Sequence, residues 1–284
     1  MLPPVNFLGV VFALVSAVSW GSGDFTGGVA ARRSNPFFVL MLSSLSGIVI
    51  LLICALLWRE SFSSLNSVLW AMAAGVSGAF GMAIFYRALS MGHPAQVAPV
   101  AAVIGVMLPV GFGIFTDGLP DIVRLVGFAI AMLGIWLVSQ SSSQKEEDRI
   151  TRLEFILACL AGMGFGGFFT LLAQVEPGKI FMPLVVCRCA AFCTALLVLL
   201  ISRKPIPSLL SNPLALLAGV LDMGGNLFYL LAKQQTRLDV AVVLASLYPA
   251  ATVSLACILL KEKLSLNQWL GIGFCLLAIV LIVL

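Results

Sequence analysis

"QSSSQKEEDRITR", Gln140 to Arg152, is a long polar connection near the middle of a chain of 284 residues. It mixes hydroxyl, amide and charged side chains and is too polar to belong to a buried span. The residues on either side are oily. The whole chain is 61% hydrophobic and 10% charged, against about 45–50% and about 25% in soluble domains. The composition therefore excludes a large soluble core and specifies an all-α integral membrane protein. A helix crossing a hydrocarbon layer needs roughly 20 apolar residues. Ten such spans fit, at about residues 6–31, 36–57, 67–89, 95–116, 121–139, 152–174, 180–201, 213–235, 239–260 and 265–284. The first has no basic segment before it and no small-residue cleavage site, so it is expected to be a retained span.

Working outward from the linker, the two flanks resemble each other. "RLVGFAIAMLGIWLV" (Arg124–Val138) lies over "QWLGIGFCLLAIVLI" (Gln268–Ile282), with Gly127 over Gly271. "AVSWGSGDF" (Ala17–Phe25) lies over "GMGFGGFFT" (Gly162–Thr170), with Trp20 over Phe165 and Gly21 over Gly166. Phe85–Tyr86 fall over Phe228–Tyr229. The chain is thus read as a first five-helix repeat (1–139), a polar linker (140–151) and a second five-helix repeat (152–284). An odd number of spans per repeat forces the second half to enter the membrane from the opposite side. Inverted repeats of this kind place a substrate site near the midplane at their interface and work by alternating access.

Polar residues within the spans are the site candidates, because an ionisable side chain in hydrocarbon usually faces a cavity or a partner. Asp24 follows Trp20 by one helical turn and shares its face. Asp222, Asn226 and Tyr229 form another polar face, and Arg188 in the preceding span is the expected counter-charge to Asp222. Each is either a pathway residue or an interhelical tie. Gln174 is a further candidate. "SLYPA" (Ser246–Ala250) puts Pro249 inside the ninth span beside Tyr248, and Pro109 interrupts the corresponding fourth span. Proline removes a helix hydrogen bond, so both positions are expected hinges. The substrate-binding set is therefore Trp20, Asp24, Gln174, Arg188, Asp222, Asn226, Tyr229 and Tyr248.

The chain has a single histidine, and its seven cysteines lie mostly in apolar runs. No metal site, disulfide framework or cofactor is expected. No Walker A pattern or Gly-x-Ser-x-Gly elbow is present, which disfavours ATP-driven transport and familiar hydrolase chemistry. Nucleic acid is not an expected partner. Lys and Arg favour the face carrying the odd-to-even connections (Arg32, Arg33, Lys145, Arg149, Lys261 and Lys263 among them), which places both termini outside.

The block from Val240 to Val283 resembles the drug/metabolite transporter superfamily in its ten-helix EamA-like branch. It has a small-residue helix with Pro, a turn acid at Glu262 and a last helix bearing Gly271. "VAPVAAVIGVMLPV…TDGLP…LVGFAIAMLGIWLV" is a weaker copy that departs by carrying Asp117–Gly118 at the turn. The resemblance implies ten helices as two inverted repeats around a central cavity. Together with the inverted repeat, the expectation is a secondary transporter of the inner membrane, monomeric or homodimeric, for a small polar or amphiphilic metabolite. Export is expected; proton coupling and exchange are both open. A lipid or lipid-linked sugar flippase, a membrane-embedded enzyme and an assembly partner are the alternatives.

Overall fold

In the computed structural model, residues 6–31, 34–89, 94–139, 151–203, 208, 210–261 and 264–283 are described. Among them every regular element is a helix: α1 (Phe7–Ala31), α2 (Pro36–Leu57), α3 (Leu65–Leu89), α4 (Pro94–Asp117), α5 (Ile122–Val138), α6 (Arg152–Leu172), α7 (Phe181–Ile201), α8 (Pro213–Gln235), α9 (Leu238–Ala245), α10 (Tyr248–Leu260) and α11 (Leu266–Val283). The linker proposed at 140–151 lies outside the described residues except for Thr151, as does Glu262. Polar side chains start several helices. The Asn35 carboxamide accepts from Phe37 N ahead of Pro36, Asp121 accepts from Val123 N and Arg124 N, and Thr151 forms a capping box with Glu154.

Among the described residues, nine segments are long and apolar enough to cross a membrane, with α9 and α10 counted together over Leu238–Leu259. The tenth, α5, has 17 residues and spans about 25 Å at 1.5 Å per residue. Phe115, Leu56 and Ile258 project outward from α4, α2 and α10, as side chains against lipid tails must. The ninth span differs from the single kinked helix expected for 239–260. It breaks at Ser246–Leu247, and the chain restarts as α10 with Pro249 in its first turn. Proline is tolerated there because its missing N–H has no intrahelical partner to lose.

The contacts repeat under a pseudo-two-fold relation. A Cβ on Gly21 would meet Tyr248 O, Ala251 and Thr252 N, while on Gly166 it would meet Gly105 O, Leu108 and Pro109. Those are equivalent positions in the two halves. Gly127 packs on Ile282 and Gly271 on Val138, so α5 and α11 lie against each other through exchanged residues. Gly75 has no room for a side chain against Cys187 and Ala190, and Gly219 has none against Ser43 and Ser46. Small residues permit this close backbone approach where the hydrophobic effect cannot drive helices together. The backbone agrees. Arg59 and Arg203 both take positive φ after α2 and α7, and Gly118 and Lys261 both take it after α4 and α10. The departure at Asp117–Gly118 thus preserves the turn while changing its side chains.

With α9 and α10 counted as one span, the span ends that flank the even-to-odd connections form one face, the terminal face, where Asn6 Nδ2 donates to Gln235 Oε1. The opposite span ends form the linker face.

Candidate functional site

The site is built where α1 crosses α8. Gly23 brings the backbones together, since a Cβ there would sit 3.1 Å from Asp222 N. Ser16 Oγ donates to Gly225 O at 2.7 Å, and Trp20 Nε1 donates to Asn226 Oδ1 at 3.2 Å. Gly225 leaves room for the indole, which a Cβ would strike. Trp20 stands within 5.5 Å of Phe169, 5.8 Å of Tyr229, 6.4 Å of Tyr248 and 6.5 Å of Phe168, ring centre to ring centre. Tyr229 is fully buried, and its hydroxyl donates to Phe169 O at 2.7 Å. Trp20 and Tyr229 therefore form a packed aromatic wall whose polar tips are bonded to Asn226 Oδ1 and Phe169 O.

Charge lies beside this wall. Arg188 Nη1 of α7 meets Asp222 Oδ2 of α8 at 2.5 Å. The arginine stem runs past Gly47 of α2, where a Cβ would come within 3.6 Å of Cδ and Nε. Nε and Nη2 of Arg188 are buried without a hydrogen-bond partner. The guanidinium thus spends one donor on Asp222 and keeps others unspent. Asp24 is different. It is exposed and follows Gly23, where a Cβ would sit 3.1 Å from Asp222 N. Among the described residues it forms no ion pair. Two carboxylates against one guanidinium leave this region one formal negative charge in excess.

The break in the ninth span adds backbone polarity. Ser246 N donates to Val242 O and Leu247 N to Leu244 O, and Pro249 supplies no N–H to continue the ladder. Ser246 Oγ is buried without a partner. A narrow crevice of about 10 Å³, room for a single water, is lined there by Ala101 and Gly105 of α4, Phe165 and Phe169 of α6, and Ser246 and Tyr248. At Pro109, by contrast, α4 continues without interruption, and the proline ring sits against Gly166. Gln174 stands apart from the cluster, its Nε2 donating to Thr170 O at the end of α6.

Sequence reasoning passed over a second buried ion pair. Arg237, which precedes α9, donates through Nε and Nη2 to Asp239, through Nη1 to Asp117 O at 3.0 Å and through Nη2 to Gly118 O at 2.6 Å. It also passed over Glu60, whose carboxylate accepts from the N–H groups of Ile180, Phe181 and Met182 at the start of α7.

A family model described as the EamA-like transporter family matches residues 7–140 and again 152–284. An uncharacterised protein of Methanocaldococcus jannaschii, MJ1333.1, is 29% identical over 135 residues, which are 47% of this chain and 97% of that protein. It therefore corresponds in length to a single half. The uncharacterised transporter YvbV of Bacillus subtilis is 27% identical over 153 residues, about half of each chain (51% and 49%). A solved crystal structure superposes with a TM-score of 0.74 over 96% of this chain and 95% of that one. At 15% identity the likeness is one of fold.

Proposed function

Since the chain belongs to the EamA-like transporter family, and is thus a multi-pass membrane protein of a transporter family, we propose that it carries a small polar or amphiphilic metabolite across the inner membrane by alternating access, in the export direction. The observation that carries this reading is the accessible carboxylate of Asp24 within the α1 span, one turn after Trp20 and beside Gly23, which packs on Asp222 of the Arg188–Asp222 pair. An ionisable side chain inside a span without a partner is costly. It is retained where something that enters the cavity compensates it. Asp24 is the contact group for the cargo or for a coupling proton. The unspent donors of Arg188 bind a polar acceptor of the cargo, with Asp222 holding the guanidinium in place. Tyr248 closes the site beside the helix break, which acts as the hinge. Trp20, Asn226 and Tyr229 set its shape from behind.

The test begins with a thermal-shift screen of metabolites on purified protein, since a ligand of the native state raises its apparent stability. The hit is then measured by counterflow in liposomes, with a pH dye in the lumen to separate proton coupling from exchange. Asp24→Asn at normal abundance is expected to lose most of the flux. Parental flux in that variant would overturn the assignment.

A further inference from the structure

We propose that the Arg237 clasp is the gate on the terminal face, that it holds this face closed in the structure, and that the repeat does not copy its residues to the linker face. The inference rests on the transport reading only for the purpose of the gate, not for its existence.

The first support is a broken symmetry. Under the pseudo-two-fold relation, the contact between the end of α4 and the start of α9 should recur between the start of α4 and the end of α10. The first contact is made: Gly113 of α4 lies against Leu238 and Asp239, where a Cβ would sit 3.3 Å from Asp239 N. Among the described residues the second is not matched, for α4 packs on α9 much more than on α10. The two helices therefore close together at the terminal face and part toward the linker face. The crevice bounded by Gly105, Phe165, Ser246 and Tyr248 lies where they diverge.

The second support is the chemistry of the closed end. Arg237 is 5% exposed and Asp239 is fully buried. Their pair joins the second half to the carbonyls of Asp117 and Gly118 in the first. Asp117 Oδ2 in return accepts from Leu238 N at 3.4 Å. Glu60 adds a parallel tie from the α2–α3 connection to the start of α7. A planar fork of fixed donors suits this task, because it can hold the Asp239 carboxylate and still direct Nη1 and Nη2 to the Asp117 and Gly118 carbonyls of the other half.

The third support comes from the sequence register. Pairing Gly105 with Tyr248 and Gly118 with Lys261 puts Pro94 and Gln96 at the positions of Arg237 and Asp239. Pairing Arg59 with Arg203 puts Lys204 at the position of Glu60. None of the three carries its counterpart's charge. The scaffold is repeated but the charges of the lock are not.

The experiment is a spin-label distance measurement across the gate, with labels at Thr116→Cys and Gln235→Cys in a background whose native cysteines are replaced. Amide exchange of the 236–241 segment in otherwise native protein is the second readout. The parent is expected to show one dominant short distance and slow exchange. Asp239→Asn and the double variant Arg237→Gln/Asp239→Asn should each raise the ratio of open to closed molecules on the order of ten-fold, from a minor open state of about 0.1–10%, and speed exchange. The double variant leaves no unpaired buried charge, so its effect is separable from misfolding. Arg124→Gln, which breaks the Asp121–Arg124 pair of the same connection, should change neither readout. The proposal is overturned if the double variant matches the parent in both readouts, or if Arg124→Gln opens the gate equally. A gate that opens as expected in protein that moves no cargo would count against the transport reading alone.

Discussion

Replacing Asp222 by Ala isolates what the Arg188–Asp222 pair contributes to the fold, apart from any role in transport. The pair is short, 2.5 Å, but unequal: the Arg188 side chain is 6% exposed and that of Asp222 36%. Removing one member of a buried ion pair costs about 3–5 kcal/mol, because the other charge stays buried and uncompensated. Solvent at Asp222 weakens the pair before it is broken, so the expected loss is about 2–3 kcal/mol. Two of the remaining guanidinium nitrogens already lack partners, so nothing nearby takes over the released donor. Arg188→Met/Asp222→Ala removes both charges and should return to within about 1 kcal/mol of the parent, giving a coupling of about 2 kcal/mol in the double-mutant cycle. Asp24→Asn is the control. It breaks no ion pair, so it should be close to neutral, within about 0.5 kcal/mol. Equilibrium unfolding in mixed micelles reads the parent, Asp222→Ala, Arg188→Met, the double variant and the Asp24→Asn control. An Asp222→Ala loss below about 0.5 kcal/mol, or strictly additive single variants, would refute the reasoning.

Trp20→Phe keeps most of the aromatic packing but removes the donor to Asn226 Oδ1. It should cost about 1–2 kcal/mol for the buried acceptor left unpaired, read as a lowered thermal midpoint in detergent. Glu176, in the α6–α7 connection, is held below its ordinary value of 4.5, chiefly by accepting from the Ser64 N–H. A carboxylate depressed in the folded state stabilises fully above its unfolded value and loses that contribution as pH falls through the folded one. Thermal midpoints taken from pH 7 down to pH 3 should therefore fall more steeply in the parent than in Glu176→Gln, and parallel curves would contradict the contact.

What the sequence revealed follows from the kind of physics each feature uses. Spans and repeat were legible because lipid demands long apolar runs and close helix packing demands glycine, and both leave marks in composition. Arg188 and Asp222 were legible because charges inside spans are rare and their helices are consecutive. The break at Ser246–Leu247 was read as a kink, since Pro249 signals a lost hydrogen bond but not whether the helix bends or restarts. The Arg237 clasp was missed for two reasons. Charges at a span end are ordinarily wet, and the partners Asp117 O and Gly118 O are backbone carbonyls in the other half, which have no side-chain signature.

The pattern of repetition bears on how such a protein can favour one state. If every contact had an equivalent in the other half, the structures closed at the terminal and linker faces would differ little in energy, and neither would dominate. Any bias must come from residues that the repeat does not copy. The register of the scaffold glycines places Phe169 opposite Asp24, Ser44 opposite Arg188 and Gly78 opposite Asp222, so each charge in the core faces a neutral counterpart. The same holds at the rim, where Pro94 and Gln96 stand in for Arg237 and Asp239. Glycines and apolar packing set the two halves equal, and the unrepeated charges then unbalance them. A bias of a few kcal/mol is enough to make one state predominate while leaving the other within thermal reach. One buried ion pair is of that size.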